Sequence, residues 1–222
     1  IINMPSLIRK KEDSMDNDIL NQLNLGADSP FGHYETKIMK LQNLLEITKI
    51  INSTLEEDKL AQIILYSCQG QFLIQNASLI ILEDVDRGIY HDKISIGLEK
   101  DHFDIQFNRT SFLVKLFQKV IGDDSEGRIE FHRQIFAFKD IENKISDPLE
   151  LQNLKNLCPE IISPLLGKNS LYGFLFLGPK LDGSSFTNQE LTYIFQFSEM
   201  AAISIENAKL FEMAILDRTS VV

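Results

Sequence analysis

The sequence predicts an α+β fold: a central antiparallel sheet with N- and C-terminal helices on one face and short helices and loops over the other. Short apolar runs bounded by turn residues predict the sheet, as in 170–178, where Leu175, Phe176 and Leu177 lie between Gly173 and Gly178. Helical periodicity at both ends of the chain predicts the flanking helices. A hairpin-like pair of runs just before the last helix predicts that neighbouring strands run antiparallel.

Element by element, residues 1–34 mix charge (Arg9, Lys10, Lys11, Glu12, Asp13) with the breakers Gly26, Pro30 and Gly32, and read as a flexible arm with one short helix around 19–25. From 35 to 55 the stripe Ile38, Leu41 and Leu45, with Leu44, Ile47 and Ile51 beside it, predicts a helix. A second helix is expected over 55–74, with Glu56, Glu57 and Asp58 facing its positive N-terminal end. Strands follow at 77–82 and 89–97 around a turn at Asp86, Arg87 and Gly88, and a third at 102–107. Residues 111–121 read as helix, 123–127 as loop, 134–138 as a short strand and 148–157 as a short helix. The runs 160–167 and 170–178 form a hairpin turning at Lys168 and Asn169. Thr187 and Glu190 have the spacing of a capping box, and no Gly or Pro interrupts the chain from there to Arg218, so the last helix is long. Along it Ile194, Phe197, Ala201, Ser204, Ala208, Phe211 and Ile215 recur at steps of three and four, the period of a helix–helix seam.

Composition narrows the function. A chain of 222 residues with 44% hydrophobic content can bury one good core. Net charge −10 argues against nonspecific nucleic-acid or anionic-membrane binding, which need a basic field. No apolar run approaches the roughly 20 residues that span a bilayer. Cys68 and Cys158 form no pairing motif, so a reducing cytoplasm is the simplest compartment. The chain opens Ile-Ile-Asn and stops just past the long helix, which reads as part of a longer protein. His33, His91, His102 and His132 are scattered, so no metal site is signalled. Asp123, Asp124 and Glu126 read as a solvated acidic loop rather than a cation site.

The segments EIISPLL, LYGFLFLGPK, FTNQEL and AAISIENAKLFE resemble the closing half of bacterial GAF domains, and the resemblance covers about 38–216. It implies a GAF sensor domain over 35–216, flanking helices included. Cyclic-nucleotide-binding members carry an Asn-Lys, Phe, acid signature; Lys180, Phe186 and Glu190 match it, while Pro179 stands where the Asn would be. In the family the Lys and the acid form an ion pair that closes the fold. The end FEMAILDRTSVV resembles the linker into a GGDEF diguanylate cyclase domain, so 217–222 read as the start of that linker. No GG(D/E)EF sequence is present, and no catalysis is expected in these residues.

The resemblance places a ligand between the sheet and the elements 107–120 and 136–157, with pocket positions at Ser78, Ser95, Phe112, Leu113, Glu150, Asn153, Leu157 and Phe176. Asn108, Arg109, Thr110 and Ser111 open a predicted helix, where free N–H groups attract a phosphate; a plain N-cap with a solvated arginine is the alternative. Ser78 and Ser95 lie on apolar strands and need partners, from a purine edge, backbone or water. A regulatory cyclic nucleotide, cAMP favoured over cGMP, is the expected ligand, with no required cofactor. Homodimerisation through the first and last long helices would carry the signal to the GGDEF-type effector. Against this stand a ligand-free dimerisation scaffold and a redox enzyme dependent on Cys68 and Cys158.

Overall fold

The computed structural model describes residues 38, 42 and 45–219 apart from 99–104, 122–127, 132–133 and 168–169; at 118–121, 128–131 and 216–219 it describes the backbone. The expected arm, the acidic loop, the 168–169 turn, and His33, His102 and His132 lie outside the described residues. The chain divides into two units, 1–46 and 47–222. In the first, residues 38, 42, 45 and 46 are helical, and Ile38 and Leu45 are exposed.

The second unit holds the sheet. After a helical stretch at 47–53, its elements are α1 (Glu57–Phe72), β1 (Ala77–Asp84), β2 (Ile89–Ile96), β3 (Gln106–Phe107), α2 (Phe112–Phe117), β4 (Gln118–Ile121), β5 (Arg128–Phe131), β6 (Phe136–Ala137), α3 (Phe138–Ile141), α4 (Pro148–Asn156), β7 (Ile161–Leu166), β8 (Leu171–Leu177) and α5 (Asn188–Thr219). Six strands form one antiparallel sheet in the order β3-β2-β1-β8-β7-β6, and β4 pairs with β5 separately.

β8 occupies the interior of the sheet, as its unbroken apolar run requires, with all but one of its residues buried. Gly173 lets it approach β1, because a Cβ there would collide with the Ile80 carbonyl oxygen. The β1–β2 hairpin turns where expected: Arg87 N donates to Asp84 Oδ1 at 2.9 Å, and Gly88 takes φ 65°. Its ladder shifts between Leu79 and Ile80, which pair with Ile94 and Asp92, so Lys93 is an extra residue in β2.

On one face, α1 buries Leu60, Ala61, Ile64, Leu65, Cys68 and Phe72, a three-and-four spacing. α5 packs beside it against β7 and β8. Each large aliphatic side chain so buried contributes on the order of 1.5–3 kcal/mol before chain entropy is set against it. Ile194, Phe197, Ala201, Ser204 and Ala208 are all buried within the protomer. The stripe read as a possible dimer seam is therefore occupied by the protein's own core down to Ala208. Only its last members, Phe211 and Ile215, remain exposed, alongside Ile203, Leu210 and Met213.

Two expectations are corrected. The helix read over 111–121 ends at Phe117, and Gln118–Ile121 is a strand paired with Arg128–Phe131. Val120 opposite Ile129 gives these residues a β-type partner that periodicity could not reveal. The strand read over 134–138 is limited to Phe136–Ala137, because Phe138 opens the short helix Phe138–Ile141; of the third strand read over 102–107, Gln106–Phe107 is strand and 102–104 lie outside the described residues.

Candidate functional site

The other face of the sheet is covered by α2, α3 and α4. Phe174 of β8 lies at its centre, with ring centroids of Tyr90 at 5.3 Å, Phe117 at 5.6 Å, Phe176 at 6.3 Å and Phe107 at 6.4 Å. Leu113, Leu154, Leu157 and Ile162 complete this core. Tyr90 donates from its hydroxyl to the Leu171 carbonyl at 3.2 Å, and burial pushes its pKa up to about 12 against the nearby positive charge of Arg109.

Within this face Ser78 and Ser95 are directly opposed in the β1–β2 register, both fully buried, and Ser95 Oγ donates to Ser78 Oγ at 2.7 Å. Each hydroxyl thus has the partner its burial demands. Phe176 is the neighbour of Ser78 on the β8 side. Asn76, which sequence reasoning passed over, donates from Nδ2 to the Leu157 carbonyl at 2.9 Å and packs against Gly178, joining the end of α4 to the start of β1.

Glu150 is the most consequential polar residue of the cover. Buried on α4, its two carboxylate oxygens accept from Phe112 N at 2.9 Å and Leu113 N at 2.8 Å. The start of α2 therefore already holds an anion, the protein's own. Asn153 sits half-buried one turn further along α4. Arg109 points elsewhere: Nη2 donates to the carbonyls of Val85 at 3.0 Å and Asp86 at 2.9 Å, and its side chain covers Gly88. Thr110 N and Oγ1 donate to Asn108 Oδ1, and Ser111 Oγ accepts from Asn108 N, a self-contained turn before α2. The structure thus groups Ser78, Ser95, Leu113, Leu157 and Phe176 at one buried face, joins Phe112 and Leu113 to Glu150, and sets Arg109 and Thr110 on the surface.

Two ionic clusters lie outside this face. Lys180 Nζ donates to both oxygens of Glu190, at 2.7 and 2.8 Å, and stands 5.4 Å from the Phe186 ring centroid. Glu190 also accepts from Thr187 N and Oγ1, and returns its own N–H to Thr187 Oγ1 at 3.2 Å, the expected capping box. Burial raises the Glu190 carboxyl, but these donors outweigh it and hold the group below its ordinary range. On the helical face Glu57 holds Lys93 of β2 at 2.9 Å and Lys209 of α5 at 3.0 Å, while Asp58 takes Lys93 at 2.6 Å. By sequence Glu57 and Asp58 read only as first-turn acids, and nothing local points to their lysines. Cys68 is sealed in the core, where burial pushes its thiol pKa up, and Cys158 is exposed.

The sheet order, the helices α1 and α5 on one face and the covered opposite face define a GAF-type fold. Solved GAF domains share it: that of an Acinetobacter phosphoenolpyruvate-protein phosphotransferase aligns with TM-score 0.54 at 14% identity over 78% of this chain and 95% of its own. A Geobacter sulfurreducens GAF domain/HD domain protein gives 0.52 at 15% over 73% and 98%. The phycoerythrobilin-bound GAF domain of a cyanobacterial phytochrome gives 0.53 at 12% over 78% and 97%. In sequence, the chain is 30% identical over 196 residues to diguanylate cyclase A of Treponema denticola. That match takes in 83% of this chain, which spans about half (47%) of the relative's length. No protein-family model matches the sequence. Among the described residues no helix is long and apolar enough to cross a membrane.

Proposed function

We propose that this chain is the regulatory sensor domain of a diguanylate cyclase, that it binds a cyclic nucleotide, cAMP in preference to cGMP, and that it acts in the cytoplasm as a dimer. The sequence relation to a diguanylate cyclase over most of the chain carries the proposal. The Lys180, Phe186, Glu190 signature and the buried hydroxyl pair Ser78–Ser95 beneath the α2–α4 cover support the ligand. In this reading a purine edge takes over hydrogen bonds from Ser78 and Ser95. Asn153 and Glu150 bear on it from α4, Phe112, Leu113, Leu157 and Phe176 enclose it, and Arg109, Thr110 and Ser111 flank the entry. Because aromatic side chains fill the face, binding requires the cover to move, and only a higher affinity for the moved state drives it. α5, whose exposed end carries Leu210, Phe211 and Ile215, joins its counterpart in a second copy and leads toward the effector.

A second reading, a GAF fold that only dimerises its effector, is favoured by one observation: Ser78 and Ser95 already satisfy each other. Calorimetry separates the two. The sensor reading expects saturable heat with cAMP, weakened at least about tenfold by Asn153→Ala or Ser78→Ala, the scale of one or two lost hydrogen bonds. Silence across cAMP, cGMP and related purines favours the scaffold.

A further inference from the structure

We propose that the ion cluster around Glu57 is a mechanical relay that reports the state of β2 to the point where α5 leaves the domain. The proposal deepens the sensor reading, but the relay itself is independent of which ligand moves the sheet.

The path begins at the bulge in β2. Asp92 pairs with Ile80 and Ile94 with Leu79, so Lys93 is the inserted residue. Ser95, bonded to Ser78, belongs to the covered face, and Lys93 reaches the helical face. A bulge is a soft point of a sheet that re-aims one side chain. Lys93 meets Oε1 of Glu57 at 2.9 Å, and the other oxygen of the same carboxylate, Oε2, meets Lys209 at 3.0 Å. The side chains of Lys93, Glu57 and Lys209 are only 29%, 18% and 19% exposed, so this is not a solvated ion pair that water can replace freely. One carboxylate shared by two lysines transmits displacement: movement of Lys93 shifts the Glu57 carboxylate, and with it the anchor of Lys209.

The receiving end suits the role. Lys209 is half-buried, and from Leu210 to Ile215 every residue of α5 is exposed. Three residues before it, Glu206 acts on Tyr172 of β8, whose phenol is pushed up to about 12 by burial and by the Glu206 carboxylate. Within one turn α5 is thus tied to β8 through Glu206 and, through Glu57, to β2, and β1 separates those strands. A shift of β2 relative to β8 becomes a tilt of the helix at that turn.

Hydrogen exchange of residues 206–215 in the ligand-free chain tests this. Ser95→Ala, which breaks the hydroxyl pair on the opposite face, is expected to speed exchange there roughly threefold or more when Lys93 is present, and to leave it unchanged in Lys93→Met and Lys209→Met backgrounds. Ser78→Ala breaks the same bond from β1 and substitutes if the Ser95 variant does not fold. An equal effect in all backgrounds, or none in any, overturns the relay. Since no nucleotide is added, a silent calorimetric titration beside a positive exchange result sinks the ligand assignment and keeps the relay.

Discussion

Replacing Glu190 should cost more than replacing a surface acid, and by a predictable amount. Its carboxylate carries a two-pronged contact to Lys180, whose side chain is 10% exposed against 22% for its own, and also completes the Thr187 capping box. A charge-assisted hydrogen bond is worth about 1.5–3 kcal/mol and an N-cap interaction about 1 kcal/mol. Stripping the partner from a fully buried ion costs about 3–5 kcal/mol, and the partial exposure of Glu190 places this site lower. Glu190→Ala is therefore expected to lose about 2–3 kcal/mol in urea unfolding at pH 7, and Lys180→Met about 1–2 kcal/mol, since Thr187 still holds the acid. The double variant Lys180→Met/Glu190→Gln should lose less than the sum of its single changes by about 1 kcal/mol or more, because neither charge is then stranded. A loss below about 0.5 kcal/mol for Glu190→Ala, or strict additivity in the double variant, would refute this account of how the last strand is locked to the last helix.

The remaining expectations concern acid stability, packing and assembly. Burial raises the Glu57 carboxyl, but Lys93 and Lys209 hold it below its ordinary 4.5, so its contribution is fully present above that pH and is lost as pH falls through the folded value. Glu57→Gln should thus cost about 1–2 kcal/mol at pH 7 and progressively less as pH falls below 4.5, read from urea midpoints along that range; a cost that does not change with pH contradicts the charge assignment. Ser163 is fully buried on β7, and among the described residues its hydroxyl has no partner, so Ser163→Ala should stabilise the chain by about 1 kcal/mol. A drop in melting temperature would argue against that reading. Sedimentation equilibrium at micromolar concentration should show a dimer that Leu210→Glu or Phe211→Glu dissociates, while a monomeric wild type sinks the α5 interface.

Local chemistry was legible; pairing across space was not. The capping box of Thr187 and Glu190 needs only three residues of spacing, and the turn at Asp86, Arg87 and Gly88 only its glycine and aspartate, so both were readable in the chain, although the side chain that accepts from Arg87 N is that of Asp84. Lys180 and Glu190 became legible through family resemblance. The strand Gln118–Ile121 was hidden because the periodic run Phe112–Phe117 flows into it and its partner, Arg128–Phe131, lies further along the chain. Ile194, Ala201 and Ala208 show why a seam pattern is ambiguous: three-and-four spacing is the same whether the face meets a second copy or its own sheet. Likewise, Ser78 and Ser95 signalled a need for partners but not that they would find each other, since that depends on the β1–β2 register. Glu150 was placed at the pocket by resemblance, yet its hold on Phe112 and Leu113 depends on how α4 packs against α2.

The most direct test is a crystal structure of the chain grown with millimolar cAMP. Purine density is expected between the Ser78–Ser95 pair and α4, with the hydroxyls turned to the ligand and the α2–α4 cover displaced from its present packing on Phe117, Phe174 and Phe176. A structure in which Ser95 still donates to Ser78, Glu150 still holds Phe112 and Leu113, and the aromatic core is unchanged would contradict it.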